Sequence, residues 1–232
     1  MKKILSLVII FSLLNFSYSF SKTIEERLEG KKTISYNVSF NGMAAGFIEW
    51  EYLGKETIDG KKLEVLGVNS DTKILALLNL TSREKVYLDS STYLPYKVER
   101  DLLVFGKKEL AKEIYNQDEG YVKIIRTKDK TEEEILTQDK PIHNILALLY
   151  FFPDNIALEK GEWTTFNLPT QKVKIKMVKE RILNVNKEKK ETLFLLGRGG
   201  KRFSLWLDKK NRLPLRLEFI FPLGKVVITR KD

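Results

Sequence analysis

The chain has 232 residues, with 41 Lys and Arg against 31 Asp and Glu, a single histidine and no cysteine. That length suits one sizeable β domain and is marginal for two, and at 43% hydrophobic and 31% charged the chain is globular rather than disordered. The absence of thiols excludes disulfides, zinc–thiolate sites, iron–sulfur clusters and cysteine nucleophiles, and one histidine cannot furnish a His-rich metal site.

The amino terminus reads as an export signal. Lys2 and Lys3 form a positive start, Ile4 to Phe16 is uncharged and mostly apolar, and Ser17-Tyr18-Ser19 sets small residues where a signal peptidase reads. Thirteen residues of helix reach only about 20 Å, short of a bilayer core of roughly 30 Å, so cleavage near Ser19 is expected over a retained anchor. With no cysteine after the apolar stretch, lipoprotein acylation is not expected there. Residues 1–19 are read as the signal and 20–232 as one domain, periplasmic or secreted. Without Lys2 and Lys3 the balance is 39 basic to 31 acidic, net +8.

From Lys32 onward the pattern is period two. Ile34, Tyr36, Val38 and Phe40 share one face, with Thr33, Ser35, Asn37 and Ser39 on the other. Asn41-Gly42 is a turn signal, and Gly46 opens a partner strand in which Ile48, Trp50 and Tyr52 alternate with Phe47, Glu49 and Glu51. Asp59-Gly60 turns the chain into Lys62–Val68. Similar runs follow at Glu84–Leu88, Tyr96–Val104, Tyr121–Thr127, Lys172–Leu183, Thr192–Leu196, Phe203–Leu207, Leu213–Phe221 and Lys225–Thr229. The spacing predicts a mainly β fold: a single strongly curved antiparallel sheet, barrel or half-barrel.

Three segments depart from this pattern. Pro141 to Phe152 is apolar nearly all round, with Asp139 as a candidate N-cap and Pro153 as a stop, and predicts one buried helix over about 141–152, wrapped by the sheet. Ile74 to Leu80 is a short apolar run that fits a strand, a helical turn or the lip of a cavity. Lys107 to Tyr115 fits helix as well as strand.

No catalytic constellation emerges. His143 has no nucleophile-elbow motif to serve, and a structural histidine near a helix start, with Asp139 four residues before it, is the plainer reading. Glu49 and Glu51 flank Trp50 on one strand, the sparse beginnings of a glycosidase pair. Gly197-Arg198-Gly199-Gly200-Lys201 lacks P-loop spacing and a following helix, and reads as a hairpin turn. In Lys172–Lys179, the lysines 172, 174 and 176 share one face. They suit contact with an anionic membrane surface, or simply protect an exposed strand from aggregation. No RNA-binding aromatic motif appears, and nucleic acid is not expected.

The early YNVSFNGMAAGFIEWEY (Tyr36 to Tyr52), the central PIHNILALLYFF and the late FSLWLDKKNRLPLRLEFIFPLGKVVIT (Phe203 to Thr229) together resemble the bacterial domain-of-unknown-function family 3108. The late pattern is carried by Trp206, Asp208, Leu213, Pro214 and Gly224, and the early glycine by Gly46. The centre departs from it, with His143 and Asn144 where an aspartate is usual and Ala147 or Leu148 where a serine is. The resemblance implies an exported β fold without an established activity.

The expected function is therefore a non-catalytic envelope protein, without metal or cofactor, that binds a lipid-like ligand or an envelope component. Candidate cavity residues are Ile74, Leu75, Leu77, Leu78, Ile145, Leu148, Leu149 and Phe152, though a filled core accounts for the same residues. The alternatives are a scaffold of an envelope complex using the face of Lys172, Lys174 and Lys176, and a glycan hydrolase using Glu49 and Glu51. Ligand identity and oligomeric state stay open.

Overall fold

The computed structural model describes residues 23–74, 78–150 and 159–231; the expected signal segment lies outside them. A four-residue helix, α1 (Ile24–Arg27), comes first. Thr23 and Glu26 cap it reciprocally, and Ile24 and Leu28 enter the main core. Then follow β1 (Thr33–Phe40), β2 (Met43–Ile58), β3 (Lys61–Ile74), β4 (Leu78–Asp89), β5 (Pro95–Val104), β6 (Lys107–Asn116), β7 (Tyr121–Thr127) and β8 (Thr131–Thr137). A second helix, α2 (Ile145–Tyr150), separates these from β9 (Thr164–Asn167), β10 (Lys172–Val185), β11 (Glu188–Gly199), β12 (Lys201–Asp208), β13 (Pro214–Phe221) and β14 (Gly224–Arg230).

All these strands join in one antiparallel sheet, in the order β8-β7-β6-β5-β4-β3-β2-β1-β14-β13-β12-β11-β10-β9. Every neighbour is a sequence neighbour except one: β14 returns to β1, with Tyr36 opposite Arg230 and Phe40 opposite Val226. The sheet is a meander whose free edges, β8 and β9, lie in mid-chain. It does not close, because no ladder joins these two edges. The inner-face residues of both halves meet in one core, which includes Tyr36, Trp50, Leu66, Val86, Val122, Ile175, Leu195 and Leu205. The alternation read from the sequence thus places the oily faces correctly.

Both edges are blunted. β9 has only four residues, and β8 carries Glu132, Glu133 and Glu134, of which two pair with Lys123 and Arg126 on β7. The lysine-faced β10 is second from the edge, flanked by β9 over Lys172–Ile175 and by β11.

Several expectations are corrected. Within the described residues the helix spans Ile145–Tyr150, and Pro141–Asn144 precede it outside the helix. Ile142 bridges to Asn167, and the His143 N–H donates to the Asn167 carbonyl at 2.6 Å, so this backbone bonds to β9 instead of coiling. Residues 151 and 152 lie outside the described segments. The helix is also one-sided: Ala147, Leu148 and Leu149 enter the core while Ile145 is exposed. Asp139 does not cap it; its carboxylate accepts from Lys172 at 2.6 Å. The segment Lys107–Tyr115 is strand, and Ile74 and Leu78 end β3 and open β4 as a cross-strand pair.

One glycine shapes the bend of the sheet. Between Val38 and Ser39 the β1–β2 register slips, giving β2 an extra residue beside Gly46. Gly46 has φ +142, and a Cβ built there would lie 2.0 Å from the Asp71 carbonyl oxygen on β3. Since backbone must move to admit a methyl group, Gly46→Ala should cost about 1–3 kcal/mol. A lowered urea midpoint with an unchanged slope is the expected reading; an unchanged midpoint would show that the close approach is not obligatory.

Candidate functional site

The site is built where the two halves of the sheet face one another beside α2. Asn144 sits at the helix entrance, buried. Its side-chain oxygen accepts from the backbone N–H groups of Leu146 (2.9 Å) and Ala147 (3.3 Å), satisfying donors that the helix cannot pair itself. Its amide nitrogen donates to the Tyr115 hydroxyl at 3.4 Å, and Tyr115 in turn donates to Glu113 at 2.5 Å. Glu113 and Glu84 both accept from Arg100, the latter at 2.6 Å from Nε. The relay thus runs from Glu84 on β4 through Arg100, Glu113 and Tyr115 to the start of α2.

This relay is electrostatically closed. Burial opposes the Arg100 charge, but Glu113 and Glu84 outweigh it and hold the guanidinium charged. Burial, reinforced by Glu113, drives the Tyr115 hydroxyl well above its ordinary range, so it stays a donor. Removing one carboxylate would strand a largely buried cation.

Beside the relay opens a cleft of about 510 Å³. Ile124, Ile145, Leu149, Phe203, Phe219 and Phe221 supply much of its apolar wall, while Arg100, Glu113, Arg126, Asn144 and Lys201 supply polar points. A few polar groups set in an apolar wall are the usual make-up of a small-molecule site. A recess of about 570 Å³ beside the β4–β5 and β6–β7 turns is different in kind, since many of its polar groups are spent on the turns. There Asp89 accepts from Ser91 and Thr92, and Gln117 binds the backbone of Pro95 and Ile142.

Of the expected cavity residues, Ile145 and Leu149 line the cleft, and Leu148 is buried in the core instead. Leu75, Leu77 and Phe152 lie outside the described residues, as do the side chains of Ile74 and Leu78. Sequence reasoning missed Arg100, Arg126 and the three phenylalanines. The phenylalanines carried a signal, since 219 and 221 alternate on β13 with Phe203 paired to Phe219.

The lysine face is real and larger than expected. Lys174 is paired across strands with Arg198, and Arg198 with Arg202, a row of three cations over β10, β11 and β12. With Lys172 and Lys201 they surround a recess of about 380 Å³ that shares Gly199, Gly200 and Lys201 with the cleft. Lys176 and Arg198 both lie against Trp163, at 5.0 and 4.3 Å from its ring centre. The Gly197–Lys201 stretch is the expected hairpin turn, with Gly199 opposite Lys201.

Glu49 and Glu51 are neighbours along β2, not partners across a cleft, and Glu49 accepts from Ser35 at 3.5 Å. His143 packs edge-on to Phe166 at 5.4 Å, and burial lowers its pKa to about 4. No helix among the described residues is long and apolar enough to cross a membrane.

No family model matches the chain, and no curated protein matches it. The resemblance to family 3108 is therefore not supported at the level of that family. Among solved structures, the chain is similar to a β-barrel-like protein of the domain of unknown function DUF1849 from Brucella abortus. That match has a TM-score of 0.56 and 8% identity, covering 86% of this chain and 97% of that one. The likeness is one of fold. A lipoprotein candidate from Parabacteroides distasonis aligns over 87% of this chain and 94% of its own at 7% identity, but with a TM-score of 0.31 it carries no weight.

Two outcomes follow from this geometry. Glu113→Ala, which leaves Arg100 half-paired, should cost about 3 kcal/mol in urea unfolding, and adding Arg100→Met should recover part of that loss. Strictly additive losses would show that the two side chains do not act as a unit. His143 is neutral when folded, and its folded pKa lies below the unfolded value of 6.5. The unfolded chain therefore takes up a proton first, and stability falls as pH drops from about 6.5 to about 4. In His143→Gln that part of the decline should vanish from unfolding midpoints measured across this range; an unchanged profile would place the histidine in solvent.

Proposed function

We propose that the protein is an exported, non-catalytic envelope protein that binds an amphiphile, holding an acyl-like apolar body in the cleft with an anionic end toward Arg126 and Lys201. The observation that carries this reading is the cleft itself: three phenylalanines and the outer side of α2 form a wall of oil, with cations at its margin. Each methylene removed from water contributes about 0.8 kcal/mol, so micromolar affinity, about 8 kcal/mol, takes an acyl chain of roughly ten methylenes or more once the cost of association is included. Export follows from Lys2, Lys3, the apolar Ile4–Phe16 and Ser17-Tyr18-Ser19.

Among the described residues the wall contains no convergent nucleophile and base, which favours holding over turnover. A scaffold in an envelope complex is the second reading, favoured by the cation row of Lys174, Arg198 and Arg202.

The test is displacement of a fluorescent fatty acid such as cis-parinarate by palmitate. Ile145 is exposed at the cleft, so Ile145→Arg should leave folding intact while weakening probe binding at least about tenfold, because the added charge meets apolar wall. Native mass spectrometry of protein isolated from membranes should show an added lipid-sized mass. Absence of both probe binding and an added mass would refute the reading.

A further inference from the structure

We propose that four adjacent hairpin tips form a docking surface for an anionic phospholipid bilayer. The turns β1–β2, β13–β14, β11–β12 and β9–β10 lie at one end of neighbouring strands in the sheet order. They touch in series. Asn41 accepts from the Lys225 backbone at 2.8 Å and gives its own backbone N–H to the Lys225 carbonyl at 2.9 Å, tying the first two tips. The Lys201 ammonium lies 3.9 Å from the Phe221 ring centre, tying the second to the third. A Cβ on Gly200 would meet Gln171 at 2.8 Å, so the third abuts the fourth.

Their composition is one-sided. Asn41-Gly42-Met43, Pro222-Leu223-Gly224, Gly199-Gly200-Lys201 and the 168–171 turn contain no acid. At the opposite end the turns carry Asp59, Glu188 and Asp208. Leu223 is 84% exposed, Ile220 70% and Met43 57%. Exposed oil at turn tips is costly in water but fits the interfacial zone of a bilayer.

Beside the oil stands the row Lys174–Arg198–Arg202, like charges set directly opposite one another, an arrangement unfavourable in isolation. Lys174 and Arg202 have no carboxylate in reach among the described residues. Phosphate headgroups would relieve that repulsion, and apolar tips beside a cationic row match a bilayer better than a soluble polyanion. Trp163, 37% exposed against Arg198, adds an aromatic at headgroup level.

This surface does not depend on the cleft being occupied, and the test separates the two. Sedimentation with phosphatidylglycerol-containing vesicles and with pure phosphatidylcholine vesicles is compared for variants sharing one amino-terminal background. Each of Lys174→Glu, Arg198→Glu and Arg202→Glu should weaken binding to the anionic vesicles by about fivefold or more. Leu223→Asp combined with Met43→Asp should weaken it comparably at constant salt, whereas Ile145→Arg should leave it unchanged. Lys61→Glu with Lys187→Glu, at the far end, serves as the net-charge control. Equal loss in that control, equal binding to neutral vesicles, or no effect of the Leu223 and Met43 changes would overturn the proposal. Loss of vesicle binding without loss of cis-parinarate binding would fault the docked surface in the variants, not the cleft.

Discussion

The structure turns on Asn144. The described part of α2, six residues, cannot hold itself in water, since nucleation consumes most of what so few hydrogen bonds return. α2 persists because Asn144 closes its first turn and is itself fastened through Tyr115 and Glu113 to Arg100. The helix contributes Ile145 and Leu149 to the cleft, and the relay contributes Arg100 and Glu113. One chain of polar contacts therefore sets both the position of the apolar wall and the polar points beside it.

The same logic explains why a cleft exists at all. A barrel closed by hydrogen bonds brings its strands together side by side, and its interior fills with side chains. Here the meander is interrupted in mid-chain, and β8 and β9 never pair. The gap is crossed by side-chain contacts, such as Gln138 to the Pro169 carbonyl at 3.0 Å and Asp139 to Lys172, together with the Ile142–Asn167 bridge. The cleft beside α2 is lined by inner residues of both halves, among them Ile124, Val173, Phe203 and Phe219.

Period-two alternation made the sheet legible. Ile34, Tyr36, Trp50, Val173 and Ile175, expected on an oily face, meet in the main core, and Val38 and Phe40 form a smaller cluster. What escaped was whatever lacks alternation. β8 is exposed along nearly its whole length and so shows no contrast between faces, and β9 is too short for a period. The helix was overextended because Pro141 and Ile142 are apolar for another reason: Ile142 is fully buried beside β9 while its neighbour His143 bonds to Asn167. Of the site, Ile145 and Leu149 were visible as an apolar run. The Arg100 relay was not, because its members lie on three strands and a helix entrance, brought together by register alone.

Register also explains the charge row. Lys172, Lys174 and Lys176 are visible as alternating lysines along one strand, but Arg198 lies within, and Arg202 just after, a glycine-rich stretch that reads as punctuation. Only the pairing of β10 with β11 and of β11 with β12 makes these two arginines the continuation of a lysine face. Gly199 and Gly200 line both the recess beside that row and the cleft. A side chain at Gly199 would meet the β10 backbone at 2.9 Å from the Lys172 carbonyl oxygen, so the close packing of this tip, which carries residues of both the basic surface and the cleft wall, depends on that glycine.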